Sequence, residues 1–199
     1  MSKLFGMGDL QGAAKEPDGL EAGTHPLAGR LTGYARVNER PELALLQEKF
    51  GQLEQGQTVT FCTGGKWSNH DLLLFALAAT GPAFLHLSTW TVSEESVRIL
   101  HELKEDGQLT GIHAVFDYRI NDRKPKPFQF FKTFCDRHAL TKCHAKVFVL
   151  EGTHMSAAVL GSANFSRNQR IEAGVLSTAP DFCRFHQNWI ADVLSGKTV

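Results

Sequence analysis

Cysteine is scarce in this chain. Four residues (Cys62, Cys135, Cys143 and Cys183) among 199 are too few for a disulfide-stapled scaffold, which predicts a reducing, cytoplasmic setting. Long apolar runs are missing as well. No stretch approaches the ~20 residues that a membrane-spanning helix needs. The opening MSKLFGMGDLQGAAKEPDG has no long apolar segment of the kind a secretory leader carries. Net charge is absent too, with 21 Lys and Arg against 21 Asp and Glu. A polyanionic partner must therefore be met at one place and not by the field of the whole molecule. No repeat of 20–50 residues is visible, which excludes solenoids and tandem duplications.

What is present suffices for one well-filled domain. Apolar residues make up 42 % of the chain and fourteen residues are phenylalanine. Residues 1–36 are rich in Gly, Ala and Pro without periodicity, and read as an extended arm or linker. The folded domain is expected over 37–199. Charge is uneven within it: from Arg119 to Lys146 there are eight Lys and Arg against two Asp.

Strands and helices alternate along the domain. Pro41 suits a first helical turn, and Leu43, Leu46, Phe50 and Leu53 share one helical face. QTVTFCTG (57–64) reads as a strand. Ser68 and Asp71 then form a capping box for a helix stopped by Gly81. AFLHLSTW (83–90) is a second strand, 93–107 a helix opened by Ser93, and TGIHAVFDY (110–118) a third strand. A basic, proline-bearing loop over 119–127 and a Phe-rich helix over 127–138 follow. HAKVFVLEG and SAAVLGSAN form an antiparallel hairpin, IEAGVLST (171–178) is a sixth strand, and a helix with Pro180 early and Gly196 at its end closes the chain. This order predicts an α/β fold, a mixed sheet covered by helices on both faces.

The chemistry concentrates in HAKVFVL and GSANF. On a strand, period two puts His144 and Lys146 on one face, and Ser162 and Asn164 likewise share a face. Gly161 lets a backbone or ligand approach closely. If the two strands pair, the four polar side chains converge. A neutral imidazole is a nucleophile at physiological pH. A lysine ammonium and an asparagine amide offer charge and donors without acting as bases. Such a set suits an anionic group with several oxygens, and a phosphodiester fits.

HAKVFVLE followed by GSANFS resembles the phospholipase D superfamily signature, H-x-K-x4-D with a downstream G-S-x-N. The resemblance directly covers about thirty residues (144–172) and extends loosely to the alternating elements from about Thr58 onward. The acidic position holds Glu151 in place of Asp, and the connection from Glu151 to Gly161 is about three residues longer than the usual pattern. The resemblance implies an α/β/α fold and a phosphodiesterase that forms a phosphohistidine. It gives catalytic roles to His144, Lys146 and Asn164, a supporting role to Glu151, and to Glu172 the carboxylate that orients the imidazole. It implies no metal and no cofactor. The reaction uses two histidines and the chain carries one motif, so the resemblance implies a homodimer with a shared site.

The basic segment points to nucleic acid, DNA before RNA, as the substrate and partner. Arg119, Arg123, Lys124 and Lys126 would follow a phosphate backbone, with Ser162 and Lys66 touching substrate. Stable membrane association is not expected. Other readings stand beside this one. Cys135, His138, Cys143 and His144 could close a zinc site. TGGKWSN (63–69) lies where phosphate loops occur but lacks their spacing. The Phe-rich helix could lie on a membrane and serve a phospholipid head-group hydrolase. The chain could also be a catalytically silent nucleic-acid-binding module.

Overall fold

A computed structural model describes residues 40–167 and 169–197. The expected arm over 1–36, and the first residues of the expected domain, lie outside the described residues.

The chain builds seven strands and six helices within that range. They are α1 (Pro41–Phe50), β1 (Thr58–Cys62), α2 (Asn69–Thr80), β2 (Ala83–Thr89), α3 (Glu94–Glu105), β3 (Leu109–Asp117), α4 (Ile120–Arg123), α5 (Pro125–Lys132), β4 (Arg137–Thr141), β5 (Val147–Gly152), β6 (Ser156–Gly161), β7 (Ala173–Ser177) and α6 (Pro180–Leu194). The strands form one mixed sheet in the order β1-β7-β6-β5-β2-β3-β4. Strands β2, β3 and β4 run parallel. β5 turns antiparallel to β2, and β6, β7 and β1 continue antiparallel from it. The predicted α/β sandwich and the β5–β6 hairpin are present.

The main core lies on one face of the sheet. Leu85, Leu87, Ile112, Ala114, Phe116, Phe148, Leu150, Ala157, Val159 and Leu176 face it from the strands. Helix α2 is its spine: eleven of its twelve residues are buried, as a helix apolar on nearly every side requires. The Asp71 carboxylate reaches back to the Ser68 N–H at 2.9 Å, so the expected capping box starts α2. Helix α6 covers the other face, where Cys183, Phe182 and Trp189 pack on Val147, Val149 and Ala158. The Phe-rich helix is core and not a membrane surface. Phe128 and Phe131 are 1 % and 0 % exposed, and both rings stand edge-on to Phe116 at 5.2 and 5.1 Å.

Three expectations need correction. The basic stretch over 119–127 is not a loop, because α4 and the first turn of α5 occupy it. Pro125 opens α5 at a position where no N–H is needed. The Phe-rich helix ends at Lys132, and the residues beyond it enter the edge strand β4, which the sequence reading missed. Finally, β5 begins at Val147, so His144 and Lys146 precede the strand and do not alternate along it.

Candidate active site

Strand polarity gathers the polar segments at one end of the sheet. Cys62 pairs with Ala173, Gly161 with Gly174, Leu160 with Val147, Val147 with Ser88, Thr89 with Phe116, and Asp117 with Thr141. The segment 142–146 leaves edge strand β4, passes the ends of β3 and β2, and enters central strand β5. The end of β2 fastens it: the Ser88 hydroxyl donates to the Ala145 carbonyl at 3.3 Å and lies 3.2 Å from the Cys143 sulfur.

His144 and Lys146 sit on this segment. Lys146 is only 7 % exposed, and its Nζ donates to the His144 carbonyl at 2.6 Å. Burial pushes the ammonium below the ordinary lysine range, and Cys143 and Glu172 pull against that shift. A buried ammonium of this kind has its strongest partner in an incoming anion. The His144 ring is exposed and stands edge-on to Trp90 at 5.8 Å.

The segment after β6 meets it. The Gly161 N–H donates to the Lys146 carbonyl at 3.1 Å and the Ser162 N–H to the Ala173 carbonyl at 3.0 Å. A Cβ on Gly161 would come within 2.9 Å of the Ala173 oxygen, so the close approach of β6 to β7 requires glycine there. The Ser162 hydroxyl donates to Glu172 Oε2 and accepts from the Ala173 N–H at 3.1 Å. One oxygen of the Glu172 carboxylate is thus taken by Ser162. Asn164 is half-buried, and its buried Oδ1 has no hydrogen-bond partner among the described residues. An orphaned buried acceptor costs about 1–3 kcal/mol unless a ligand or partner completes it.

Two helix starts pin this segment. Asn69, at the start of α2, donates to the Ala163 carbonyl at 2.6 Å. The Phe165 N–H donates to Thr89 Oγ1 at 3.0 Å, and the Phe165 carbonyl accepts from the Ser93 N–H at 3.2 Å. Thr63 holds Glu172 from the other side. Its N–H donates to the Glu172 carbonyl at 2.7 Å and its Oγ1 accepts the Glu172 N–H at 3.0 Å. Exposed Lys66 follows in the same turn, between β1 and α2.

The basic segment behaves differently from a phosphate-tracking loop. Asp117, 3 % exposed at the end of β3, accepts from Arg119 Nε at 2.8 Å and from Arg123 Nη1 at 3.2 Å. The Arg119 hydrogen bond holds this carboxyl below its ordinary range. The Arg123 guanidinium lies 3.6 Å over the Trp90 ring. Arg119 stands 5.3 Å from the Tyr118 ring and 6.0 Å from Trp90. Lys124 and Lys126 are exposed nearby. Asp117, Trp90, Tyr118 and Thr63 escaped the sequence reading. Their common signal is position: each ends a strand, or directly follows one, at the edge that carries His144.

Glu151 is elsewhere. It lies at the far end of β5, roughly 15 Å along the strand from Lys146. There it accepts from Gln187 Nε2 on α6 at 2.7 Å and sits 3.4 Å from His86 Nε2. A cavity of about 260 Å³ opens at that same far end, bounded by Glu151, Thr178 and Gln187, away from His144. The alternative zinc set is dispersed. The Cys135 thiol meets the Ile112 and Arg137 carbonyls, the His138 ring packs on Phe128, and Cys143 is engaged by Ser88. Among the described residues no group of three His, Cys, Asp or Glu could hold a metal ion, and no helix is long and apolar enough to cross a membrane.

The architecture has solved counterparts. NucT from Helicobacter pylori superposes with a TM-score of 0.56 at 12 % identity, over 71 % of this chain and 97 % of NucT. Polyphosphate kinase from Porphyromonas gingivalis superposes with a TM-score of 0.54 at 13 % identity, over 72 % of this chain but 26 % of the kinase. No protein-family model and no curated protein sequence matches the chain.

Proposed function

We propose, from the phospholipase D-like fold of this chain, that it is a phosphodiesterase acting on nucleic acid, DNA in the first instance, as a homodimer with a shared site. One observation carries the reading. His144, buried Lys146, Ser162, Asn164, whose oxygen has no partner among the described residues, and Glu172 all lie at one end of the sheet. The likeness to NucT, a nuclease of this superfamily, supports the choice of nucleic acid.

The chemistry follows from the side chains. A ring nitrogen of His144 attacks phosphorus, a P–N bond forms and the P–O bond to the leaving strand breaks. The departing oxygen takes a proton from a second imidazole. That imidazole then removes a proton from water, which attacks phosphorus and breaks the P–N bond. General acid–base assistance of this kind contributes about 10²–10⁴-fold. A chain with one motif supplies one of the two rings, so the His144 of a second copy supplies the other across a two-fold axis. Lys146 and Asn164, each present twice, hold the charge on the phosphoryl oxygens. A bound phosphoryl group favours the charged form of Lys146, against the burial that lowers its pKa.

The test is cleavage of single- and double-stranded DNA and RNA in EDTA by wild type and His144→Ala, with the oligomeric state measured in parallel. Turnover by a dimeric wild type, lost in His144→Ala, is the expected result. Salt-sensitive DNA binding that His144→Ala leaves unchanged, with no turnover, identifies a binding module instead. A monomer that cleaves would refute the shared site.

A further inference from the structure

We propose that Tyr118 and Arg119 form a stacking subsite for one unpaired nucleobase beside the cleaved phosphodiester, which makes the preferred substrate single-stranded at that point. The inference rests on the nucleic-acid reading above and deepens it.

Four groups make a continuous row. The Tyr118 ring lies 5.3 Å from the Arg119 guanidinium carbon, that carbon 6.0 Å from the Trp90 ring, and Trp90 5.8 Å from the His144 ring. The far end of the row is open, because Tyr118 is 50 % exposed. It is also anchored to the catalytic segment. The Tyr118 N–H donates to the Thr141 carbonyl at 2.9 Å, where the chain turns toward His144.

A single exposed aromatic needs no explanation. The planar cation fixed beside it does. Asp117 takes Arg119 through Nε at 2.8 Å and through the backbone N–H at 3.2 Å. It also takes Arg123, which is stacked on Trp90 at 3.6 Å. Two arginines tied to one buried carboxylate are poor seekers of phosphate. That carboxylate answers one of their two charges, and it ties both side chains down so that they are not at liberty to follow a backbone. What Arg119 still offers is a rigid guanidinium plane next to a tyrosine ring, the pair of surfaces on which splayed bases stack. Duplex bases are already stacked on each other and present no face to such a platform. Backbone attraction is left to exposed Lys66, Lys124 and Lys126, which read no sequence.

The experiment uses the full chain carrying His144→Ala, so that binding is read without cleavage. Fluorescence anisotropy compares a labelled 12-nucleotide strand with the same sequence as duplex, for this protein and with Tyr118→Ala or Tyr118→Phe added. The single strand should bind more tightly than the duplex. Tyr118→Ala should weaken single-strand binding roughly 5- to 150-fold, the range of one base–aromatic stack. Duplex binding should stay within about twofold, and Tyr118→Phe should retain single-strand affinity. A strand carrying 2-aminopurine gives a reading free of any folding effect of the added substitution. Its fluorescence should be quenched on binding the Tyr118 protein. Equal losses for both forms, no loss in Tyr118→Ala, or an unquenched probe in a bound strand each overturn the subsite. Cleavage that persists alongside such a result leaves the phosphodiesterase reading standing. Absence of binding to any nucleic acid removes both.

Discussion

Replacing Gly65 with alanine tests how tightly the turn after β1 is built into the site. Gly64 and Gly65 both adopt positive φ, +57° and +75°. A side chain at either position costs about 1–2 kcal/mol for the left-handed backbone alone. Their surroundings differ sharply. A Cβ on Gly64 meets nothing within 4 Å, whereas one on Gly65 would fall 2.3 Å from the Gln169 carbonyl oxygen and 2.9 Å from its carbon. Both atoms are backbone, so no side chain can swing aside, and overpacking of this sort adds about 1–3 kcal/mol. Gly64→Ala should therefore cost about 1–2 kcal/mol and Gly65→Ala about 2–5 kcal/mol. At ~2–4 °C per kcal/mol for a chain of this size, the melting temperatures should separate by several degrees. The pushed segment runs on to Glu172, which Thr63 and Ser162 hold in place. A shift of about 1 Å there should lower turnover on the order of 10²-fold. Gly64→Ala should leave turnover near wild type. Urea melts and cleavage rates of the two variants, read side by side, give the answer. Equal destabilisation with equal activity would show that the 169–172 segment does not bear on Gly65.

Lys146→Met should abolish cleavage, by about 10²-fold or more, while the fold survives. Burial lowers the folded-state pKa of Lys146, so the cost of its charge is fully present below that lowered value and is relieved as pH rises toward the ordinary 10.5. Urea melts from pH 8 to 10.5 should thus show wild type gaining stability relative to Lys146→Met as pH increases, and a difference independent of pH would contradict the assignment. Glu151→Ala should keep turnover within about twofold of wild type and lose under about 1 kcal/mol, since its carboxylate is 54 % exposed and far from His144. A hundredfold loss of activity would return Glu151 to the site. Burial raises the Cys135 thiol to about 12 and the Cys183 thiol to about 11. At pH 8 these are thiolate in about one molecule in ten thousand and one in a thousand, so a thiol reagent should modify exposed Cys62 well before either, and all three together only after denaturation.

The parts of this architecture that were legible in the sequence are those with a local physical cause. Ser68 and Asp71 announce the start of α2, and Ser93 caps α3, its Oγ accepting the Ser96 N–H at 3.1 Å. The continuous apolar runs of the β5–β6 hairpin are visible because both of its strands are buried over most of their length. Strand β4 was invisible for the opposite reason. Arg137, His138 and Leu140 are exposed, the strand pairs on one side only, and no apolar period marks it. The basic stretch was read as a loop because composition counts charges and does not say which carboxylate holds them. Asp117 sits before that stretch and binds Arg119 and Arg123 back onto the sheet. His144 and Lys146 were found as a pair, but their geometry comes from the passage between two strands and not from alternation along one.

That passage hangs between unequal supports. Its downstream end is clamped in β5, whose Val147–Leu150 are buried in the middle of the sheet. Its upstream end is tied to β4, an edge strand, five residues long and open to solvent. Fraying of β4 slackens the whole strap while the interior stays intact. The proposed cleavage then has a lower thermal ceiling than secondary structure, and warming should abolish it while the circular dichroism still looks native. A peptide that zips onto the free margin of β4 would lift that ceiling.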